Sequence, residues 1–285
     1  MRTLTDRFRF FYHRVRNVWP LWYYILNRRA RTIWHSAHPS LTNEAGEIAN
    51  ALLRDGIAVT HITKLFPQSA WHDLLRDAEA RLRDAPAISP ALPMGGKAEK
   101  GFDKHFMKFL WGGGGTNPPI DLEDPFIVFT LNEAILSIAG SYFGVAPTLH
   151  GFSLQTTLLV PPDAKPYLSQ RWHRDPDDKK IFKVFLYLND VPDEGSGPFM
   201  YVKGSQYGGR FRNLFPQRPP VGRYPEEGAV ERATRAEDRV ICTGSAGTMV
   251  FCDTSGLHRG GYSTTKTRFM FAAGFVTDAS IQPRN

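Results

Sequence analysis

The sequence predicts a mainly β protein with flanking helices, in which an antiparallel sandwich or barrel follows a helical first half. Two patterns support this prediction. Apolar residues recur at helical spacing before residue 143, whereas short stretches rich in β-branched and aromatic residues follow one another from residue 149 onward. Glycine, proline and aspartate fill the gaps between those stretches, as they do between the strands of all-β domains.

Length and composition exclude several classes of protein. A chain of 285 residues suits one large domain or two small ones with a sizeable core. With 42% hydrophobic and 22% charged residues, wholesale disorder and a fibrous repeat are excluded. No apolar run approaches the ~18 residues of a membrane-spanning helix. Two cysteines, Cys242 and Cys252, exclude a disulfide framework and predict a cytoplasmic protein.

The first element is a basic aromatic N-terminal arm, residues 1–41, which precedes a domain at residues 42–285. Residues 1–36 hold eight arginines and one acid, Asp6, so this segment has the same net charge of +7 as the whole chain. The remainder carries 27 basic and 27 acidic residues and is neutral. A nucleic-acid-binding body is therefore not expected, and no nucleic-acid partner is predicted.

The arm interleaves its arginines with aromatic residues, and two interpretations stay open. Tryptophan, tyrosine and arginine suit the headgroup layer of an anionic membrane, which would make the protein peripheral to a membrane through residues 1–36. Alternatively, the aromatic rings cover part of the domain while the arginines stay solvated. Residues 18–26 are apolar but contain Pro20 and run into Arg28 and Arg29, so an export signal is not expected.

Three helices are predicted after the arm. Residues 42–55 have helical apolar spacing, with Gly56 placed to end the helix. A second helix carries apolar residues on one face from 71 to 82, with Ser69 as its cap. The third helix is predicted over residues 125–143.

Strands are predicted where β-branched and aromatic residues concentrate, at 57–60, 149–160, 181–188, 199–202, 240–242, 248–252 and 269–276. Residues 93–119 are predicted to form a flexible loop. Its glycine run, 112–115, lacks the Gly-Lys-Ser/Thr sequence of a phosphate cradle. The connection at 205–239 is long and rich in proline, which favours a mobile or functional insert.

The β region contains three candidate metal ligands. His173 and Asp175 form a His-x-Asp pair at the end of a strand-like stretch, where alternate residues share one face. His258 lies in a turn-rich segment directly after the strand at 248–252. Two histidines and one carboxylate match the facial triad that holds Fe(II) and leaves coordination positions open.

A fourth candidate, Arg268, lies ten residues after His258. On a strand, Arg268, Met270, Ala272 and Gly274 share one face, and the last two are very small. This pattern predicts a pocket wall with a guanidinium at its end, suited to a bidentate grip on a carboxylate.

These residues occur in an order that resembles a known family. The motifs, in order, are His173-x-Asp175, Leu188-Asn189-Asp190-Val191, Glu194-Gly195-Ser196-Gly197-Pro198, Lys203-Gly204-Ser205, Gly247-Thr248, His258 and Arg268. The set resembles the phytanoyl-CoA dioxygenase family over roughly residues 42–276. The resemblance implies a double-stranded β-helix, that is, a jelly-roll or cupin-like barrel, with Fe(II), 2-oxoglutarate and O₂ as cofactor and cosubstrates.

The resemblance also implies roles for individual residues. His173, Asp175 and His258 would ligate iron, Arg268 would bind the far carboxylate of 2-oxoglutarate, and Gln155 would contact the cosubstrate. The implied reaction is hydroxylation of an unactivated C–H bond in a small-molecule or lipid-like substrate. For Gln155, an ordinary hydrogen bond within a strand is the alternative. The carboxylate at Asp175 argues against a halogenase, in which a small residue would free a position for halide.

Two other functions remain open from the sequence. The first is a non-catalytic barrel that binds a ligand or a membrane surface. The second is zinc-dependent hydrolysis on the same three ligands, which would leave Arg268 without a role.

Overall fold

The computed structural model describes residues 4–37, 40–85, 103–104, 106–113, 118–216 and 224–281. Most of the predicted loop at 93–119, including Gly114 and Gly115, lies outside the described residues. Four residues of the predicted insert that the sequence singles out also lie outside them: Arg218, Pro219, Pro220 and Arg223.

Helices come first and strands dominate the rest of the chain. The helices are α1 (Leu4–Arg16), α2 (Arg28–Ser36), α3 (Asn43–Asp55), α4 (Gln68–Asp84), α5 (Pro125–Thr130), α6 (Glu133–Phe143) and α7 (Ala229–Ala233). The strands are β1 (Ile57–His61), β2 (Asp103–Lys104), β3 (Met107–Gly112), β4 (Thr148–Thr157), β5 (Phe182–Tyr187), β6 (Phe199–Val202), β7 (Arg239–Cys242), β8 (Thr248–Asp253), β9 (His258–Gly260) and β10 (Phe269–Val276). A short π-helix, Leu21–Leu26, lies between α1 and α2.

The strands form two antiparallel sheets. The larger has the order β1-β8-β5-β10-β4-β3-β2, and the smaller has the order β7-β6-β9. Alternate residues of β5 explain how both faces of the larger sheet are covered. Phe182 and Val184 belong to the core shared with α3 and α6, whereas Phe185 and Tyr187 pack with residues of the smaller sheet. The protein is therefore mainly β with flanking helices, as predicted.

Local sequence sets the helix ends, with two corrections. The Thr42 side chain accepts a hydrogen bond from the Ala45 amide, and Gly56 ends α3 in the left-handed region, as predicted. Ser69 lies inside α4 and is not its cap, because the helix already begins after Pro67. The predicted third helix is two helices, since the Asn132 side chain caps α6 by accepting from an amide of its first turn.

Three strand or loop predictions are also corrected. β3 lies within the predicted flexible loop and pairs with β4 along its length. β9 was not predicted, because its three residues give no usable periodicity. The insert at 205–239 is not structureless, since it contains α7 and a 3₁₀ turn at Ala236–Asp238.

Part of the arm packs on the domain. Trp22 is fully buried, and its indole Nε1 donates to Asp178 Oδ1 at 2.7 Å. Asn27 Oδ1 accepts from the Ala279 amide at 3.1 Å. Trp34 packs against α6. The interpretation that aromatic rings cover the domain therefore holds for these two tryptophans. No helix in the described ranges is long and apolar enough to cross a membrane.

The Trp34 ring packs closely against Gly140 on α6, and replacing this glycine with alanine is expected to destabilise the protein. A Cβ at this position would lie 2.2 Å from Trp34 Cζ3. We expect a loss of ~1–3 kcal/mol in the free energy of unfolding, the usual effect of overpacking. Gly46→Ala on α3 is the matched control. Its Cβ would meet nothing within 4 Å, so helix propensity alone should stabilise by ~1 kcal/mol. Urea denaturation of both variants measures the difference, and equal effects would contradict the expectation.

Candidate metal centre

The three predicted ligands lie on two segments that pair with each other. His173 and His258 exchange backbone hydrogen bonds of 3.0 Å in both directions, and the Asp175 amide donates to Thr254 O at 2.8 Å. The prediction that His173 and Asp175 end a strand is wrong, because this segment follows a 3₁₀ turn, Leu168–Gln170, and forms only an isolated bridge. The extended pairing with His258 still directs both side chains to one place.

The side chains of His173, Asp175 and His258 converge. One donor atom from each lies within 4.8 Å of the other two. His173 Nε2 is 3.7 Å from Asp175 Oδ1, and His258 Nε2 is 3.9 Å from Asp175 Oδ2. The two imidazole rings are 4.2 Å apart between centroids. Residues distant in sequence thus form a compact cluster of two imidazoles and one carboxylate.

Backbone carbonyls fix the tautomer of both histidines. His173 Nδ1 lies 2.8 Å from Arg171 O, and His258 Nδ1 lies 3.0 Å from Gly256 O. A carbonyl oxygen can only accept, so each Nδ1 carries the proton and donates it. The lone pair of each ring is therefore on Nε2, the atom nearest Asp175. Metal-binding histidines are typically oriented by this kind of hydrogen bond.

The local charges favour the metal-binding protonation states. Burial and the neighbouring His173 lower the pKa of His258 to about 3, so its imidazole is neutral at physiological pH. Burial by itself would raise the pKa of Asp175. The Lys183 ammonium outweighs it and holds that pKa well below the usual range, so Asp175 is a carboxylate. A cation is thus attracted by the full negative charge of Asp175 and by the neutral imidazole nitrogen of His258.

Lys183 is a site residue that sequence analysis missed. Its Nζ donates to Asp175 Oδ2 at 2.7 Å, which orients the carboxylate. The pKa of Lys183 is raised, because its interaction with Asp175 outweighs the effect of burial. The available signal was one lysine within the otherwise apolar stretch at 181–188. A charge in such a stretch indicates a partner inside the fold.

Arg174, between the two ligands of the His-x-Asp pair, holds the surrounding loops together. It is 3% exposed, and its guanidinium donates only to backbone carbonyls. These acceptors belong to Ser205, Phe211, Leu214, Phe215 and Ser255. Arg174 therefore ties the start of the 205–239 insert and the turn before His258 to the segment that carries His173 and Asp175.

A cavity of about 690 Å³ opens beside the cluster. The four residues predicted to form a pocket wall, Arg268, Met270, Ala272 and Gly274, all line it. Several apolar side chains also line it, including Phe109, Phe152, Phe185 and Phe199. Two residues that the sequence did not single out also line it. One is His150, and the other is Tyr224 of the insert, whose ring stacks on His173 with 5.8 Å between centroids.

Arg268 is a buried cation that no described residue neutralises. It is 3% exposed, and its Nε and Nη1 have no hydrogen-bond partner in the described part of the chain. Arg268 is therefore not an ordinary surface arginine. An unpaired buried charge is costly, and a guanidinium group is well suited to bind a carboxylate. The cavity wall thus offers a site for an anionic group.

Gln155 lies close to this end of the cavity. Its position on β4 is directly opposite Met270, and it lines the cavity while being 7% exposed. The Ser153 hydroxyl donates to Gln155 Oε1 at 3.5 Å, at the limit of a hydrogen bond. The strand hydrogen bond considered as an alternative is therefore weak, and the carboxamide faces the same space as Arg268.

Comparison with known proteins identifies the fold. No protein-family model and no curated protein matches this sequence. The epimerase SnoN, solved with Fe³⁺, alpha-ketoglutarate and nogalamycin RO, has a TM-score of 0.53 at 19% identity, covering 82% of this chain and 84% of SnoN. EctD from S. alaskensis with bound Fe has a TM-score of 0.53 at 16% identity, with coverages of 84% and 80%.

A third neighbour is HygX from Streptomyces hygroscopicus, solved with nickel, 2-oxoglutarate and hygromycin B. Its TM-score is 0.51 at 14% identity, with coverages of 83% of this chain and 88% of HygX. At these identities the comparisons establish the fold, which is the jelly-roll, cupin-like barrel of iron- and 2-oxoglutarate-dependent enzymes. The predicted fold class is confirmed.

Proposed function

We propose that this protein is an Fe(II)- and 2-oxoglutarate-dependent dioxygenase that hydroxylates a C–H bond of a small-molecule or lipid-like substrate. One observation carries the proposal: an unpaired, buried Arg268 lines the same cavity as the His173–Asp175–His258 cluster. A metal site alone fits several chemistries. When a metal site shares its cavity with a guanidinium that can bind a carboxylate, the two together suit a 2-oxo acid that carries a second carboxylate.

The residues present fit ferrous iron. His173 and His258 offer imidazole nitrogens, and Asp175 offers a carboxylate oxygen, which is the donor set of the facial triad. Lys183 holds the second oxygen of Asp175 and so favours binding through one oxygen. Bound together, iron and 2-oxoglutarate supply the oxidising chemistry, in which O₂ converts 2-oxoglutarate to succinate and CO₂ and oxidises the substrate.

The chain's own part is binding, orientation and exclusion of water. Arg268 would hold the far carboxylate of 2-oxoglutarate, and Gln155 would donate to the same molecule from the neighbouring strand. Ala272 and Gly274 line the cavity with very small side chains, which leaves space for a substrate. The aromatic part of the lining would exclude water from one side of this space and favour a C–H bond in an apolar part of the substrate.

The cavity volume supports a second organic molecule beside 2-oxoglutarate. At about 690 Å³, it lies within the ~300–1,000 Å³ range of drug-sized ligand sites. SnoN and HygX were solved with nogalamycin RO and hygromycin B, which are small molecules. A small-molecule or lipid-like substrate and membership of the phytanoyl-CoA dioxygenase family are parts of this proposal.

The neighbours also define the alternatives to hydroxylation. SnoN is an epimerase and SnoK a carbocyclase, although both depend on alpha-ketoglutarate. In a hydroxylase the product gains one oxygen atom from O₂, whereas an epimerised or cyclised product gains none. Mass spectrometry of products formed under ¹⁸O₂ distinguishes these outcomes.

The test is succinate formation. The full chain is loaded anaerobically with Fe(II), mixed with 2-oxoglutarate and candidate substrates, and then exposed to O₂. We expect slow succinate release without substrate and stimulated release with the right substrate. A barrel that only binds ligands would release no succinate with any substrate. Activity with Zn²⁺ that ignores 2-oxoglutarate would identify a hydrolase and contradict the proposal.

A further inference from the structure

The N-terminal arm carries an apolar stripe that the described part of the domain does not cover. Phe8, Phe11, Tyr12 and Val15 recur at intervals of three and four residues on α1, and so share one face of that helix. They are 70%, 63%, 47% and 38% exposed. An amphipathic helix of a globular domain normally turns its apolar stripe toward the core. On α1 these four residues face solvent instead, and we call them the outer stripe.

The arm is nevertheless held firmly against the domain. Arg16, at the end of α1, donates to Ala279 O at 2.7 Å, and Lys179 donates to Asn17 O. The buried Trp22–Asp178 hydrogen bond follows six residues later. Because these contacts approach the arm from its inner side, docking leaves the outer stripe exposed. A simple role in covering the domain does not explain the stripe.

Positive charge is concentrated in the same N-terminal arm. Residues 1–36 contain eight of the chain's arginines and one acid, while the remainder of the chain is neutral. Arg14, Arg28 and Arg29 are exposed and make no ion pair with any residue that the structure describes. Exposed rings and uncompensated guanidinium groups on one short segment are the composition of a helix that lies at a lipid surface.

We propose that the N-terminal arm binds the surface of an anionic phospholipid bilayer. The outer stripe lies among the headgroups at the acyl boundary, and the arginines contact lipid phosphates. The docked arm then holds the jelly-roll domain at the membrane. This binding does not depend on the enzymatic activity proposed above.

Charge and apolar exposure together favour a membrane over the other partners that could bind the arm. A second copy of the chain would bring two segments of net charge +7 together, which is unfavourable. An RNA strand would neutralise the arginines but would leave Phe8, Phe11 and Val15 in water. An anionic bilayer satisfies both the charge and the apolar stripe.

The test is sedimentation of the full chain with vesicles at physiological ionic strength. Vesicles of phosphatidylglycerol and phosphatidylcholine in equal parts are compared with vesicles of phosphatidylcholine alone. We expect strong binding to the anionic vesicles and weak binding to the neutral ones. Raising the salt concentration should weaken binding, because screening reduces the attraction of the arginines.

Two variants probe the two components of the surface separately. Phe8→Ser combined with Phe11→Ser should weaken vesicle binding by about tenfold or more, since it removes apolar area from the bilayer. Arg14→Gln, Arg28→Gln and Arg29→Gln together should weaken it by about a hundredfold, at about fivefold per charge. All these side chains are exposed, so circular dichroism should show unchanged folding.

The matched control is Ile120→Ser combined with Leu122→Ser. These side chains are 56% and 70% exposed, like the two phenylalanines, but lie outside the arm. The control should bind vesicles as the unmodified chain does. Failure of the unmodified chain to bind anionic vesicles, or equal losses in the control and the Phe8/Phe11 variant, would overturn the proposal. So would a concentration-dependent dimer that the Phe8/Phe11 variant abolishes, because it would identify a second copy as the occupant.

Discussion

Asp175→Ala is expected to abolish Fe(II) binding and 2-oxoglutarate turnover. The variant loses the only anionic donor of the cluster and leaves the Lys183 ammonium, now unpaired, beside the two imidazoles. Its positive charge would repel a metal ion. Loss of an outer partner of a metal site typically costs ~10–100-fold in affinity, so loss of this ligand should cost more.

Anaerobic isothermal titration with Fe(II) and succinate assays measure these losses. The control is Asp163→Ala, which removes an exposed carboxylate for which no hydrogen bond or ion pair is described. It should bind iron and release succinate like the unmodified chain. Retention of iron by Asp175→Ala at unchanged affinity would contradict the assignment of the metal centre.

Arg268→Met is expected to weaken the binding of 2-oxoglutarate without lowering the stability of the protein. The variant loses the bidentate grip on the far carboxylate, and hydrogen bonds to charged groups contribute ~1.5–3 kcal/mol each. The dissociation constant for 2-oxoglutarate should therefore rise by ~100-fold or more. Iron affinity should change little, because Arg268 is not part of the cluster.

The stability of the ligand-free Arg268→Met protein should stay the same or increase. Arg268 is buried with two unpartnered nitrogen atoms, and replacing an uncompensated buried charge with an apolar side chain removes its desolvation cost. Urea denaturation without 2-oxoglutarate measures this directly.

Arg174→Met is the matched control, since this arginine is equally buried but donates to five carbonyls. We expect that variant to lose about 3 kcal/mol or more, because buried acceptors are left unsatisfied. If Arg268→Met lost as much stability as Arg174→Met, or kept its affinity for 2-oxoglutarate, Arg268 would be a structural residue.

The sequence predicted most of the β body because its signals are local. The strands at 182–187, 199–202 and 248–253 appear as short β-branched and aromatic stretches between turn residues. Errors arose where a short polar signal competes with a longer pattern. The apolar pattern runs through Leu131 without a break, and only the cap at Asn132 reveals two helices. β3 was hidden by the glycine-rich composition around it.

The candidate ligands could be found from residue type and order, because a His-x-Asp pair, a later histidine and a following arginine form a specific combination. Lys183 and Tyr224 could not be found in this way. Lys183 contributes through strand register: β5 pairs with β8, and Asp175 is hydrogen bonded to Thr254 directly after β8, which brings the ammonium beside the carboxylate. Tyr224 contributes through the path of the 205–239 insert, which returns to stack a ring on His173.

By itself, the sequence predicted the fold class, identified four candidate site residues and determined the concentration of positive charge in the arm. These follow from residue type and from spacing along the chain. Tertiary structure alone decided that Arg268 is buried without a counter-ion among the described residues, that backbone carbonyls fix both imidazole tautomers, and which aromatic residues of the arm face outward. Burial and hydrogen-bond partners depend on segments far apart in the chain, and local spacing carries no information about which of those segments meet.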